Sequence, residues 1–172
     1  SGTIRDYAST GSFAFSSFEQ LDLKGGNDSV TVNGNTSGVS LTGGVDLGSG
    51  TNSLTMSGSA GSIASITSST GDDTISIKAG SVTGAVSASD GSNTVTISGT
   101  NSSIGSYTGG SGTDSLTLSG GDAAGNVSTG TGNDTLLINS TSSAVGGNLD
   151  LGGGTGDTLS YGGPNAAYGS LF

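Results

Sequence analysis

The chain has no cysteine, no histidine and no tryptophan, and a single proline and a single methionine among 172 residues. Without cysteine there are no disulfides and no thiolate chemistry, and without histidine there is no imidazole for proton transfer or zinc binding. Basic residues are scarce too: Arg5, Lys24 and Lys78 face thirteen acidic groups, for a net charge of -10. That balance disfavours nucleic acid and anionic membranes as partners and makes a cation the more natural small ligand. Glu19 is the only glutamate, so the converging carboxylates and bases of a polysaccharide lyase or hydrolase are missing. Asp72 beside Asp73 and Asp22 near Asp28 come closest to a pair, but neighbouring strand residues point to opposite faces. No glycine-rich turn is followed by the lysine and helix of a phosphate loop. The chain is therefore expected not to be an enzyme. Nor does any apolar run approach the roughly 20 residues of a membrane helix. Ser1 opens the chain without a signal-like segment, so a piece of a longer protein is expected.

What is abundant is glycine, at 35 positions, with a hydrophobic share of only 30 %. Such a chain is either a disordered linker or a repeat fold that buries small residues in register. Internal repetition decides between them. Seven phrases share the pattern Asp/Asn, Ser/Thr, apolar, Ser/Thr or Leu, apolar, anchored at Asp28, Asn52, Asp73, Asn93, Asp114, Asp134 and Asp157, spaced 20 to 24 residues apart. Each alternates with period two, as a strand with one buried face does. The inward column reads Val30/Val32, Leu54/Met56, Ile75/Ile77, Val95/Ile97, Leu116/Leu118, Leu136/Ile138 and Leu159/Tyr161. A second column runs Leu21/Leu23, Val45/Leu47, Ile66, Val86/Ala88, Tyr107, Val127 and Leu149/Leu151, and a weaker third through Val39, Ile63, Val82, Ile104, Ala124 and Val145.

Three short strands per coil, stacked at ~4.8 Å, predict an all-β, single-stranded parallel β-solenoid of about six coils, about 30 Å long. The crossover rule predicts a right-handed coil. Coils are expected over residues 21–161, between an aromatic capping or junction segment at 1–20 and a second junction segment at 162–172. Tyr7, Phe13, Phe15 and Phe18 crowd one end, Tyr161, Tyr168 and Phe172 the other, with Tyr107 alone between. Rings at the ends would cover strand edges that otherwise invite pairing. The ends also resemble each other, YASTGSFAFSSF against YGGPNAAYGSLF, which suggests one unit of a tandem array. Adjacent solenoid units, or end-to-end self-association, are the expected partners.

Residues 109–117, GGSGTDSLT, fit the nonapeptide G-G-x-G-x-D-x-U-x, and the stretches leading to Asp134 and Asp157 each miss one glycine. On these residues the chain resembles the haemolysin-type (RTX) calcium-binding repeats of secreted bacterial proteins. With one such turn per coil, it is also similar to the solenoids of large RTX adhesins, some of which bind ice, and to autotransporter passenger domains, which typically need no metal. The resemblance implies an extracellular or bacterial cell-surface location and calcium as cofactor. Its candidate metal residues are Asp114, Asp134, Asp157, Asp28 and Asp73. Electrostatics ranks them: from 28 to 114 the column alternates Asp and Asn, whereas Asp114, Asp134 and Asp157 are consecutive. Carboxylates ~5 Å apart repel by about 1 kcal/mol in water and about 3 to 4 at an effective dielectric of 20, which a hard cation would relieve. The plainer alternative is that each Asp or Asn accepts hydrogen bonds from turn N–H groups.

Outward Ser/Thr ranks run from Ser29/Thr31 to Thr158/Ser160, interrupted by Leu137, with Lys78 beside them. They suit a solvated strand face, or one that organises water as ice-binding solenoids do. The function expected is structural: a stalk, adhesin segment or self-assembling surface fibre. A calcium-responsive folding module is the alternative, and ice or glycan binding by the Ser/Thr face a third.

Overall fold

The computed structural model describes residues 4–5, 18–34, 40–58 and 61–162. An apolar strand face one or two residues wide cannot be buried within its own coil, so the phrases stack. Strands Ser29–Gly34, Ser53–Gly58, Thr74–Ile77, Thr94–Ile97, Ser115–Leu118, Thr135–Ile138 and Thr158–Tyr161 form one seven-stranded sheet in chain order. Every pairing is parallel, and the register sets Val30, Leu54, Ile75, Val95, Leu116, Leu136 and Leu159 in one row, with the residues two further on in the next. The first column is therefore as expected. Its central members are fully buried, whereas Leu159 in the last described coil is 36 % exposed. No helix occurs among the described residues, and the architecture is an all-β parallel solenoid of about six turns.

The second and third columns share a single ten-stranded sheet rather than forming two. In Ser40–Asp46, Ser81–Ser87 and Ser103–Ser111 one continuous strand carries both, and elsewhere it breaks into short pieces such as Ser62–Ile63 and Ile66–Thr67. The strand bends between the columns, with a register shift between Ile104 and Ser106. Glycines stack at this corner: a Cβ at Gly84 would lie 2.6 Å from the Ala64 carbonyl, and one at Gly105 2.6 Å from that of Gly84. The second column matches expectation from Leu21 through Tyr107 to Leu149. The third is corrected at two coils, at Ala124 and at Val39, whose expected place beside Ile63 is taken by buried Leu41. Ala123 pairs with Ile104 and Val145 and is buried, whereas Ala124 is exposed. The coil is shorter here, so the inward position arrives one residue early. Leu41 heads the described part of this column, and Val39 lies outside the described residues.

Pairing also reaches into the segment expected to cap the N-terminal end: Ile4–Arg5 pairs with Leu21 and Asp22. The remaining aromatics expected at the ends, Tyr7, Phe13, Phe15, Tyr168 and Phe172, lie outside the described residues, and of Phe18 only its place in a strand is described.

One glycine column shapes the turn before each Asp or Asn from Asp28 to Asp134, while Thr155 holds that position before Asp157. Gly26, Gly50, Gly71, Gly91, Gly112 and Gly132 have φ between 113° and 141°, a region that side chains rarely enter. From Gly50 onward a Cβ would also strike the carbonyl of the glycine one coil earlier. Two independent reasons thus demand glycine, and both aim the next-but-one residue, the Asp or Asn, into the solenoid.

Candidate functional site: the buried Asp/Asn ladder

The Asp/Asn side chains point inward. Asn52, Asp73, Asn93, Asp114 and Asp134 are at most 1 % exposed. Each side chain of the column from Asn52 onward accepts, through Oδ1, the backbone N–H of the Asp or Asn one coil earlier. The N–H of Asp28 donates to Asn52 (3.0 Å), Asn52 to Asp73 (2.8 Å), Asp73 to Asn93 (3.0 Å), Asn93 to Asp114 (2.9 Å), Asp114 to Asp134 (2.8 Å) and Asp134 to Asp157 (2.9 Å). The ladder is unbroken from Asp28 to Asp157. It satisfies buried donors that would each cost about 1–3 kcal/mol unpaired.

A second, discontinuous ladder lies outside the first and runs the opposite way; its acceptors sit one residue before the anchors, as do its donors except Thr155, which precedes Asp157 by two. Asn27 Oδ1 accepts from the Thr51 N–H (2.9 Å), Asp72 Oδ1 from Ser92 (2.8 Å), Ser92 Oγ from Thr113 (3.4 Å) and Asn133 Oδ1 from Thr155 (3.3 Å). Asp72 is exposed where Asp73 is buried, so the two carboxylates lie on opposite sides of the turn. Sequence reasoning did not find this outer ladder. Its trace is the run of polar residues Asn27, Thr51, Asp72, Ser92, Thr113 and Asn133 immediately before the anchors.

The column's second oxygens and amide groups differ from coil to coil. The Asn52 amide donates to the Gly50 carbonyl (3.0 Å), and that of Asn93 to the carbonyls of Ser89 and Gly91 (both 3.2 Å). Oδ2 of Asp73 and of Asp134 is buried with no hydrogen-bond partner, and Oδ2 of Asp114 has only the Gly110 N–H at 3.3 Å. Burial, and then the like charge of Asp134, raise the proton affinity of the Asp114 carboxyl; hydrogen bonds from Asn93 and Gly110 oppose them.

Whether these residues suit a hard cation can be judged coil by coil. Asp28 and Asp73 have asparagine as their ladder neighbours, and an NH2 group that already occupies a turn carbonyl takes that oxygen from any metal. Asp114, Asp134 and Asp157 offer carboxylates on both sides of two successive gaps. At Gly109 a Cβ would collide with Asp114 Oδ2 and the Thr129 carbonyl, so the missing side chain leaves oxygen atoms facing one another. These residues fit calcium, which when bound would neutralise the carboxylates and tie coil to coil. Among the described residues no three Asp, Glu, His or Cys side chains converge as a ready-made metal centre. Carbonyl and hydroxyl oxygens would have to complete the coordination.

The outer face of the seven-stranded sheet carries the Ser/Thr ranks in register, from Ser29, Ser53 and Thr74 to Thr158, and from Thr31, Thr55 and Ser76 to Ser160. Leu137 sits within the second rank and Lys78 is exposed beside it.

The fold is similar to a solved structure described as a hyperactive, Ca2+-dependent, beta-helical antifreeze protein from an Antarctic bacterium. The TM-score is 0.50 at 21 % identity, over 85 % of this chain and 57 % of that one, so this chain matches little more than half of that protein's length. No protein-family model matches the sequence, and no curated protein matches it.

Proposed function

We propose that the chain is a structural β-solenoid segment of a secreted or cell-surface bacterial protein, serving as a stalk, adhesin segment or self-assembling fibre with adjacent solenoid units as its partners. The observation that supports this best is the unbroken inner ladder. It fastens every coil to the next in the register of both sheets, and such a stack behaves as a stiff rod rather than as a container. Far-UV circular dichroism and melting, recorded first in chelator and then in millimolar calcium, test the proposal. A β spectrum with a cooperative melt in chelator is expected of a self-supporting rod. A random-coil spectrum under both conditions would sink it.

A second reading, a module whose folding responds to calcium, is favoured by the partnerless Oδ2 of Asp134 and its consecutive neighbours Asp114 and Asp157. On this reading calcium raises the melting temperature, by about 2.7 kcal/mol of stability at a hundredfold excess over Kd, and the effect is lost in Asp134→Asn. A third reading, ice or glycan binding, is favoured by the in-register Ser/Thr ranks and by an antifreeze protein having this fold. Absence of both thermal hysteresis and glycan-array binding would retire it.

A further inference from the structure

Tyr107 fills a position held in the neighbouring coils by Val86 and Val127. It is 1 % exposed, and its hydroxyl is buried with no hydrogen-bond partner. If the ring served only to fill space, phenylalanine would do so without the cost of an orphaned hydroxyl, about 1–3 kcal/mol. The next inward residue on the same strand is Gly109, and its lack of a side chain makes room for the Asp114 carboxylate. The ring is thus set beside the acidic stretch of the inner ladder, with Asp134 one coil further on. Burial, and after it the charges of Asp114 and Asp134, raise the phenol's proton affinity far above the ordinary range. A phenol is protonated at neutral pH by its ordinary proton affinity, and this one lies within the field of both carboxylates.

We propose that the Tyr107 hydroxyl, with Asp114 Oδ2 and Asp134 Oδ2, forms an internal site for one divalent, oxygen-preferring cation, to which tyrosine contributes a neutral oxygen. The proposal rests on the calcium-responsive reading and adds a residue that the turn motif does not contain. Two carboxylates and a neutral phenol carry two negative charges, which a divalent ion balances. An irregular set of oxygen ligands suits calcium's flexible coordination better than the near-ideal octahedron magnesium demands.

The test compares the wild-type chain with Tyr107→Phe and Asp134→Asn, each first shown by circular dichroism to hold its β structure. Calcium affinity is measured by calorimetry, and terbium luminescence is excited through tyrosine. Tyr107→Phe is expected to weaken calcium binding about tenfold and to remove most of the sensitised terbium emission, and Asp134→Asn to abolish both. Should Tyr107→Phe not fold, calcium titration of the wild-type chain is expected to perturb the near-ultraviolet tyrosine signal with the same apparent Kd as calorimetry. Wild-type calcium binding that leaves tyrosine silent, or that Tyr107→Phe retains within twofold, overturns the role of Tyr107 and leaves the calcium reading standing. A wild-type chain that binds no calcium removes that reading and this inference with it.

Discussion

The coils from Asp28 to Asn93 and those from Asp114 to Asp157 have the same backbone and the same inner ladder, yet they solve the electrostatics of a buried column differently. In the first region Asn52 and Asn93 separate the carboxylates and spend their amides on turn carbonyls. In the second, three aspartates follow one another, Asp134 Oδ2 has no partner, and the burial and like charge around Asp114 raise its proton affinity. The first region spaces its buried charges apart, although Asp73 Oδ2 there is also buried without a hydrogen-bond partner. The second keeps the geometry while leaving charge to be balanced from outside. A ladder side chain thus has two separable jobs: its Oδ1 holds the coil spacing, and its other atom decides whether the coil needs a cation or a proton.

The largest break in that comparison comes from removing a whole ladder group in each region. Asn93→Ala strips the Asp73 N–H of its acceptor and two carbonyls of their donor at a site 1 % exposed. A loss of about 2–4 kcal/mol is expected in urea melts. Asp134→Ala also orphans an N–H, that of Asp114, but it removes a repulsive charge as well. In chelator its cost should be smaller than that of Asn93→Ala by about 1–2 kcal/mol. Equal costs would mean that the second region carries no electrostatic strain.

Asp134→Asn sharpens the contrast by giving the second region the alternation of the first. It should raise stability in chelator by about 1–2 kcal/mol, because Oδ1 is kept and one buried charge is lost. Acid should mimic it more weakly. The native Asp114 carboxyl binds its proton more tightly than the unfolded chain does, so its contribution grows as pH falls from above its raised native value towards the usual 3.8. In chelator, moderate acidification should therefore stabilise the wild-type chain more than it does Asp114→Asn. Melts at neutral pH and near pH 4.5 would show this, and equal responses would remove Asp114 as the group responsible.

Most of the architecture was legible because strand period and coil period are both local patterns. The Val30-to-Leu159 rows and the placement of Tyr107 in the second column follow from alternation and spacing alone. Ala124 was misplaced because two adjacent alanines in a shortened coil give periodicity nothing to choose between. The shared sheet was hidden because the bend depends on glycines stacking across coils at Gly84 and Gly105. The anchors were legible as either metal ligands or backbone acceptors. Their real acceptor role joins residues 20 to 24 positions apart, which no local turn pattern reveals. The relation of Tyr107 to Asp114 depends on empty space at Gly109, a residue whose evident signal was the nonapeptide itself.

The smallest expected effect is also the control on the whole comparison. Thr55 and Thr117 occupy the same outward rank of the seven-stranded sheet, one in each region, and both are partly exposed. Neither hydroxyl belongs to the ladder, and both strands pair with neighbours on each side. Thr55→Ala and Thr117→Ala should each cost no more than about 0.5 kcal/mol, through lost strand propensity, and should cost the same. They should also leave any response to calcium unchanged. If Thr117→Ala instead proved much the costlier in chelator, the second region would be weaker throughout its packing, and the difference between the regions could no longer be assigned to the aspartates inside it.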